Sequence, residues 1–310
     1  MKKKENILII KHGALGDLIQ ADGIIKSIRY QHKNAIITLM TSKKFIDLMS
    51  RCPHIDNQII DNRSSFLNII SYITLYKNFL KYNFKIIYDL QNSQRTYIYR
   101  RYLFNKIKWI STNREDHKIS GLRGLEGMLK ENLINTKYAL KPDIKWLSID
   151  IKNIIKKNKI LANYIVLLPG SSKKNPLKRW PYFIDLSKLL ISKGYEVVTI
   201  LGPEESEMNR LFPGHVLKNL DWPKLSGIIK NSYFVIGNDS GPSHIASCLN
   251  KKGLALFGHS TSVVRSELER GKFEIIKVSD LNDLTAEQVF KKMMTILNKK
   301  KLTENSYLML

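Results

Sequence analysis

The sequence predicts an α/β protein built from two Rossmann-like domains, each a parallel sheet covered by helices on both faces. Three observations point there. Short apolar runs alternate with longer amphipathic stretches along the chain, which is the pattern of repeated βα units. The 310 residues are enough for two ordinary cores. The alternation breaks once, over about Tyr138–Ala162, where Lys141-Pro142-Asp143 leads into a lysine-rich, weakly patterned stretch. An interdomain link there divides the chain into residues 1–150 and 151–310, each of a common domain size. Right-handed crossovers put all strand C-termini of a sheet on one edge, so two such domains are expected to face a central cleft with those edges.

In the first half the predicted strands are Ile7–Ile10, Ala35–Met40, Gln58–Ile60, Phe84–Tyr88 and Ile107–Ile110. The predicted helices are Leu18–Tyr30, Lys43–Met49, Phe66–Tyr82 and Gln94–Phe104. In the second half the strands are Ile165–Leu168, Val197–Leu201, Tyr233–Ile236, Leu254–Phe257 and Glu274–Val278. The helices between and after them are Pro181–Lys193, Glu204–Leu211, Trp222–Asn231, Ser243–Leu249 and Thr285–Leu297, with Asn298–Leu310 expected to fray.

Composition narrows the function classes. No run of about 18 apolar residues suggests a membrane span. The start, Met1 to Gly13, has only Ile7–Ile10 as an apolar core, too short for a secretory signal and better read as a first strand. Two cysteines, Cys52 and Cys248, are too few for a disulfide framework, so a reducing cytoplasm is the expected setting. The formal net charge of +24 favours anionic partners, although lysine-rich tracts such as Lys156-Lys157-Asn158-Lys159 account for part of it as solvated surface. No helix-turn-helix, zinc-finger or aromatic/basic strand signature supports nucleic-acid binding. A Walker loop, G-x-S-x-G, H-E-x-x-H and clustered His/Cys ligands are also missing, so no metal site is expected.

Four strand ends carry polar residues that could do chemistry. After Ile7–Ile10 comes Lys11-His12-Gly13-Ala14-Leu15-Gly16-Asp17. Asp17 would sit at a helix N-terminus, ionised and able to accept a proton, or simply cap the helix. After Phe84–Tyr88 comes Asp89-Leu90-Gln91-Asn92-Ser93-Gln94-Arg95, polar and basic groups suited to an anionic acceptor or to a plain helix start. After Ile165–Leu168 comes Pro169-Gly170-Ser171-Ser172, then a basic loop to Lys178-Arg179-Trp180. The serines can donate to phosphate oxygens, Lys178 or Arg179 can neutralise them, and Trp180 offers either a stacking surface or a helix anchor. After Tyr233–Ile236 comes Gly237-Asn238-Asp239-Ser240-Gly241-Pro242-Ser243-His244, a strand end that opens a helix and aims backbone N–H groups at one point, as phosphate sites do. Gly202-Pro203-Glu204-Glu205 adds carboxylates that could hold ribose hydroxyls or complement a helix dipole.

Taken together, the segments around Leu15-Gly16-Asp17, Asp89 to Arg95, Gly170 to Pro181, Leu201 to Glu205 and Asn238 to His244 resemble glycosyltransferase family 9, the ADP-heptose:lipopolysaccharide heptosyltransferases and their relatives. The resemblance spans roughly residues 5–265 in the family's order. It implies a GT-B fold and metal-independent, inverting transfer of a sugar from an ADP-linked donor to a lipopolysaccharide-type glycolipid at the inner face of the inner membrane, with no resident cofactor. On the matched positions it implies Asp17 as general base and Ser171, Ser172, Lys178, Glu205, Asp239, Ser240, Gly241 and His244 as donor-binding residues, with Glu204 adjacent to Glu205. Arg95 and Gln91 are implied on the acceptor side. The stretch Leu18–Gly23 lacks the proline common in heptosyltransferases, and the basic loop has extra residues between Ser172 and Lys178, which bears on sugar and acceptor identity. Another nucleotide-sugar, or a non-catalytic sugar-nucleotide- or nucleic-acid-binding protein, are the alternatives.

Overall fold

The computed structural model describes residues 4–64, 69–111, 141–171, 175–258 and 268–307. The chain divides into two compact units, residues 1–147 and 148–310.

Unit 1 is built on a parallel sheet of β1 (Asn6–Ile10), β2 (Ile36–Thr41), β3 (Asn57–Ile60), β4 (Ile86–Asp89) and β5 (Lys108–Ser111), in the order β3-β2-β1-β4-β5. Ile7, Leu8, Ile9 and Ile10 are fully buried, which is why β1 reads as an unbroken apolar run: a central parallel strand has helices on both faces. One core layer joins Leu8, Ile10 and Ile87 to Leu75 and Phe79 of α4 (Ile69–Tyr82) and to Tyr99 and Phe104. The expected helix Leu18–Tyr30 is instead a pair, α1 (Leu15–Gln20) and α2 (Asp22–Gln31), hinged at Ala21. The first starts early because Gly13, at φ +104°, turns the chain sharply and leaves Ala14 extended as its N-cap. A short helix, α3 (Ile46–Met49), follows a 3-10 turn at Lys43–Phe45. The expected helix Gln94–Phe104 is α5 (Gln94–Ile98) running into a π turn, Tyr99–Leu103. Residues 66–68 of the predicted helix Phe66–Tyr82 lie outside the described residues.

Unit 2 carries β6 (Ile165–Leu168), β7 (Val197–Leu201), β8 (His215–Lys218), β9 (Phe234–Asn238), β10 (Gly253–Phe257) and β11 (Phe273–Lys277), all parallel, in the order β11-β10-β9-β6-β7-β8. Its helices are α6 (Lys152–Lys157), α7 (Phe183–Ser192), α8 (Trp222–Asn231), α9 (Gly241–Cys248) and α10 (Ala286–Tyr307). Strand β8 went unseen in the sequence because its four residues, His-Val-Leu-Lys, form a polar-ended edge with only Leu217 buried. The predicted helix Glu204–Leu211 is a 3-10 helix, Pro203–Arg210. Residues 298–307, expected to fray, continue α10.

The stretch read as a weakly patterned link has structure of its own. A 3-10 turn at Lys145–Leu147 docks on unit 1, where the Asp22 carboxylate accepts from Asp143 N (2.8 Å) and Trp146 Nε1 (3.0 Å). Burial lifts the Asp22 pKa to about 6, against the pull of those two donors. Among the described residues no helix is long and apolar enough to cross a membrane.

Candidate active site

An open parallel sheet binds ligands where neighbouring crossovers leave in opposite directions, because the strand ends there are not covered by a connection. In unit 1 that point lies between β1 and β4, and in unit 2 between β6 and β9. Of the five polar strand ends singled out in the sequence, four lie at those two points; the fifth, residues 202–205, follows β7, next to β6.

In unit 1 the loops after β1 and β4 are tied together. Lys11 Nζ donates to Leu90 O (3.1 Å) and His12 N donates to Gln91 Oε1 (3.0 Å). Lys11 is buried, and desolvation lowers its pKa although Asp17 and Asp89 pull the other way. Burial raises the pKa of Asp89, which is partly offset by the N–H groups of Gln91 and Asn92 on Oδ1, at 3.1 and 2.8 Å. Asn92 adopts φ +44°, a conformation Asn tolerates. Asp17 is exposed at the first turn of α1, where its Oδ2 accepts from Ala14 N (3.2 Å).

A second row lies behind. His12 Nε2 is 2.8 Å from Asp61 Oδ2, an ion-pair distance at an angle too bent for a linear hydrogen bond. Tyr99 Oη donates to the same oxygen (2.6 Å), and Arg63 N to Oδ1 (2.8 Å). Burial alone would raise the Asp61 pKa, but His12, Tyr99 and the Arg63 N–H outweigh it and bring it to about 2. Arg95 Nη1 contacts Tyr99 Oη (3.2 Å) and Tyr72 Oη (3.4 Å), and its Nη2 donates to Ser64 O. Gln91 and Arg95, the acceptor-side residues of the sequence reading, are thus structural ties of this edge as well as part of its partly exposed rim. Sequence reasoning missed Asp61 and Tyr99, which only the fold brings to His12.

In unit 2, Asn238 is fully buried and joins the β6 and β9 ends: its Nδ2 donates to Pro169 O (2.7 Å) and its Oδ1 accepts from Trp180 N (3.0 Å). Trp180 is buried, with Nε1 on Leu284 O (2.7 Å), so it anchors α7 and offers no stacking face. Lys178 Nζ is 2.5 Å from Asp239 Oδ2, and His244 Nε2 lies 3.9 Å from Asp239 Oδ1. Ser240 is the N-cap of α9 and makes no capping hydrogen bond with its side chain, so the helix start presents backbone N–H groups beside Lys178 and Asp239. Arg179 gathers the loop. Its Nε and Nη2 reach Ser171 Oγ (3.2 Å) and Ser171 O (3.0 Å), and Nη2 also reaches Glu205 Oε1 (2.8 Å). Glu205 is buried, whereas Glu204 is exposed and 3.6 Å from Arg179. A Cβ on either Gly170 or Gly202 would come within 2.9 Å of Glu205 Oε2, so both glycines are what lets this carboxylate sit at the β6 and β7 ends. Ser172 lies outside the described residues. Among the described residues no group of three or more His, Cys, Asp or Glu is placed to hold a metal ion.

Residues 129–292, more than half of the chain, match glycosyltransferase family 9 (heptosyltransferase). The chain belongs to this family. Lipopolysaccharide heptosyltransferase 1 of Campylobacter coli is 23% identical over 290 residues, covering 83% of this chain and 84% of that relative. A glycosyl transferase family 9 structure from Veillonella parvula DSM 2008 matches with a TM-score of 0.81 at 18% identity, over 95% of this chain and 97% of the other. The E. coli heptosyltransferase WaaC, solved with ADP, matches with a TM-score of 0.71 at 17% identity, over 94% and 99%. The two parallel sheets of this family 9 glycosyltransferase are accordingly the two Rossmann-like halves of a GT-B fold.

Proposed function

We propose that this glycosyltransferase moves heptose from ADP-heptose onto a lipopolysaccharide-type glycolipid by an inverting, metal-independent displacement. Residues 1–150 would bind the acceptor and residues 151–310 the nucleotide-sugar. The observation that carries this reading is the pair of polar clusters at the two switch points, one ending in an exposed carboxylate and the other in cations and a helix N-terminus. Relatives named lipopolysaccharide heptosyltransferases, and a structural neighbour solved with ADP, support the choice of sugar, nucleotide and acceptor.

In this mechanism Asp17 takes the proton of an acceptor hydroxyl as that oxygen attacks the anomeric carbon from the face opposite the nucleotide. The C–O bond to the diphosphate breaks in the same step, and the configuration inverts. Charge develops on the leaving diphosphate. Lys178 has two N–H donors beyond the one facing Asp239, and together with Ser171, Ser172 and the N–H groups at Ser240–Gly241 it would stabilise that charge. Asp239 and His244 hold this corner in place, and Glu205, oriented by Arg179, would accept from the ribose. Gln91 and Arg95 would orient the acceptor, with Gln91 and Lys11 also fixing the loop that leads to Asp17. The enzyme would work in the cytoplasm in peripheral contact with the inner membrane.

A thermal-shift panel of ADP, UDP, GDP, CMP and NADH, followed by transfer assays with the matching nucleotide-sugars, tests the reading. Selective stabilisation by ADP, transfer that survives chelation and an inverted product anomer are expected. Selective stabilisation by UDP or GDP would replace the donor. A response to nucleic acid with none to any diphosphate would overturn the transferase site.

A further inference from the structure

We infer that the outer face of α4 docks this protein on an anionic phospholipid bilayer. Ile69, Ile70, Ile73 and Leu80 are exposed on it, Ile70 to 77%, and Tyr76 lies among them. At about 3.6 residues per turn, positions 69, 73, 76 and 80 form one strip along the helix. The adjoining face is the buried one, with Leu75 and Phe79 in the unit 1 core and Tyr72 against Tyr99. Core packing among the described residues therefore accounts for the inward apolar residues and not for the outward ones. Contiguous apolar surface of this kind marks an interaction site.

Charge selects the partner. Lys77 and Lys81 lie alongside the apolar strip and are exposed. From residue 62 to residue 111 the chain has nine Lys and Arg and one acid, Asp89, which is buried. The neighbouring π turn carries exposed Arg100 and Arg101, with the Arg101 guanidinium over the exposed ring of Tyr102. An apolar strip, tyrosines at its margins and a cationic border without exposed carboxylates suit the interface of an anionic membrane, where apolar side chains enter the acyl boundary and lysines meet the headgroups. A protein groove that accepts such a strip has no comparable demand for unbroken positive charge. With 14 residues, α4 would lie in the interface plane rather than span it.

The position on the fold fits a lipid-borne acceptor. Tyr72 of α4 contacts Arg95 and Tyr99, which lead through Asp61 to His12, so the docking face adjoins the unit 1 switch point. In that placement the inference rests on the proposed acceptor, whereas the binding itself is measured without one, so either can fail alone.

The test is co-sedimentation of the full chain with vesicles of phosphatidylcholine alone or of phosphatidylcholine mixed with anionic phosphatidylglycerol. Binding only to the anionic vesicles, weakening as salt is raised, is expected. The Lys77→Glu/Lys81→Glu pair should lower partitioning at least ~30-fold, about fivefold for each lysine charge lost. Ile70→Ser/Ile73→Ser should lower it about tenfold or more at unchanged salt dependence. Both variants should keep the wild-type melting temperature and transfer to a delipidated acceptor. Lys156→Glu/Lys157→Glu on α6 should bind as wild type does. Failure of the wild type to bind, unchanged binding by both α4 variants, or loss of binding in the α6 variant instead would overturn the inference. So would a vesicle-free dimer that the isoleucine variant dissociates, since the strip would then belong to a second copy.

Discussion

At the switch point of unit 1 the cation Lys11 is buried and the carboxylate Asp17 is exposed; at that of unit 2 the burial is reversed. There Asp239 and Glu205 are 7% and 5% exposed, while their partners Lys178 and Arg179 are 25% and 34% exposed. Both edges follow one plan, in which the loops after two neighbouring strands are tied by a buried polar side chain: Lys11 on Leu90 O in one, Asn238 on Pro169 O in the other. Unit 1 buries Asp89 and Asp61 as well as Lys11, so the difference lies in what stands at the rim, a carboxylate in one and cations in the other. A carboxylate at the rim is suited to taking a proton, and cations at the rim are suited to holding phosphate. One sheet architecture thus presents an exposed carboxylate at one edge and partly exposed cations at the other, which the proposed reading takes as a base edge and an anion edge.

The sharpest way to break this contrast is Asp17→Asn. It should lower kcat about 10²–10⁴-fold while leaving ADP affinity unchanged, measured by transfer assay and calorimetry. A fully active variant would remove Asp17 as the base and leave the unit 1 edge with another role. Next in size is Gly13→Ala. A Cβ there would lie 2.3 Å from Phe45 Cε2 at a φ of +104°. The two penalties together should cost about 2–5 kcal/mol in a denaturant melt. Gly170→Ala meets only the end of the Glu205 side chain, so the expected loss is smaller and falls on nucleotide affinity as that carboxylate shifts.

The third test concerns pH. Asp61 titrates at about 2 in the folded protein, below the ordinary 3.8, so its contribution is fully present above pH ~4 and disappears as pH falls through 2. By linkage that contribution is about 2–3 kcal/mol. Tyr99→Phe removes one of the donors responsible and should move the acid unfolding midpoint upward; an unchanged midpoint would show that His12 and the Arg63 N–H suffice. Asp22 has the opposite sign. Its pKa is raised to about 6, so it disfavours folding increasingly as pH rises from about 4 to 6. The smallest expected effect is Lys178→Ala, about 10–100-fold in ADP affinity from one charge-assisted contact, with some loss of stability because Asp239 stays buried without its lysine. If ADP affinity does not change, the anion edge depends on the α9 N–H groups alone.

Much of the site was legible because strand ends in parallel sheets are marked locally. Gly13, Gly170 and Gly241 follow apolar runs and precede helical patterns, and the turn chemistry is carried by adjacent residues. The second row was not legible. Asp61 follows a short strand with no motif around it, and Tyr99 reads as one more aromatic in a helix. Their meeting at 2.6 Å depends on β1, β3 and the π turn being brought together by pairings far apart in sequence. Trp180 shows the same limit from the other side. Its neighbours allow either a stacking or an anchoring role, and burial against Leu284 chooses the anchor.

The sequence by itself determined the βα alternation, the parallel sheets, the strand ends that carry chemistry and the family, because each is written in residues close together along the chain. Tertiary structure alone decided the strand order, and with it which loops share a switch point, which ions are buried and which apolar residues of α4 face outward. Those outcomes depend on contacts between distant segments. A local pattern can specify an element's faces, but only packing determines which face is covered and which charge is left in water.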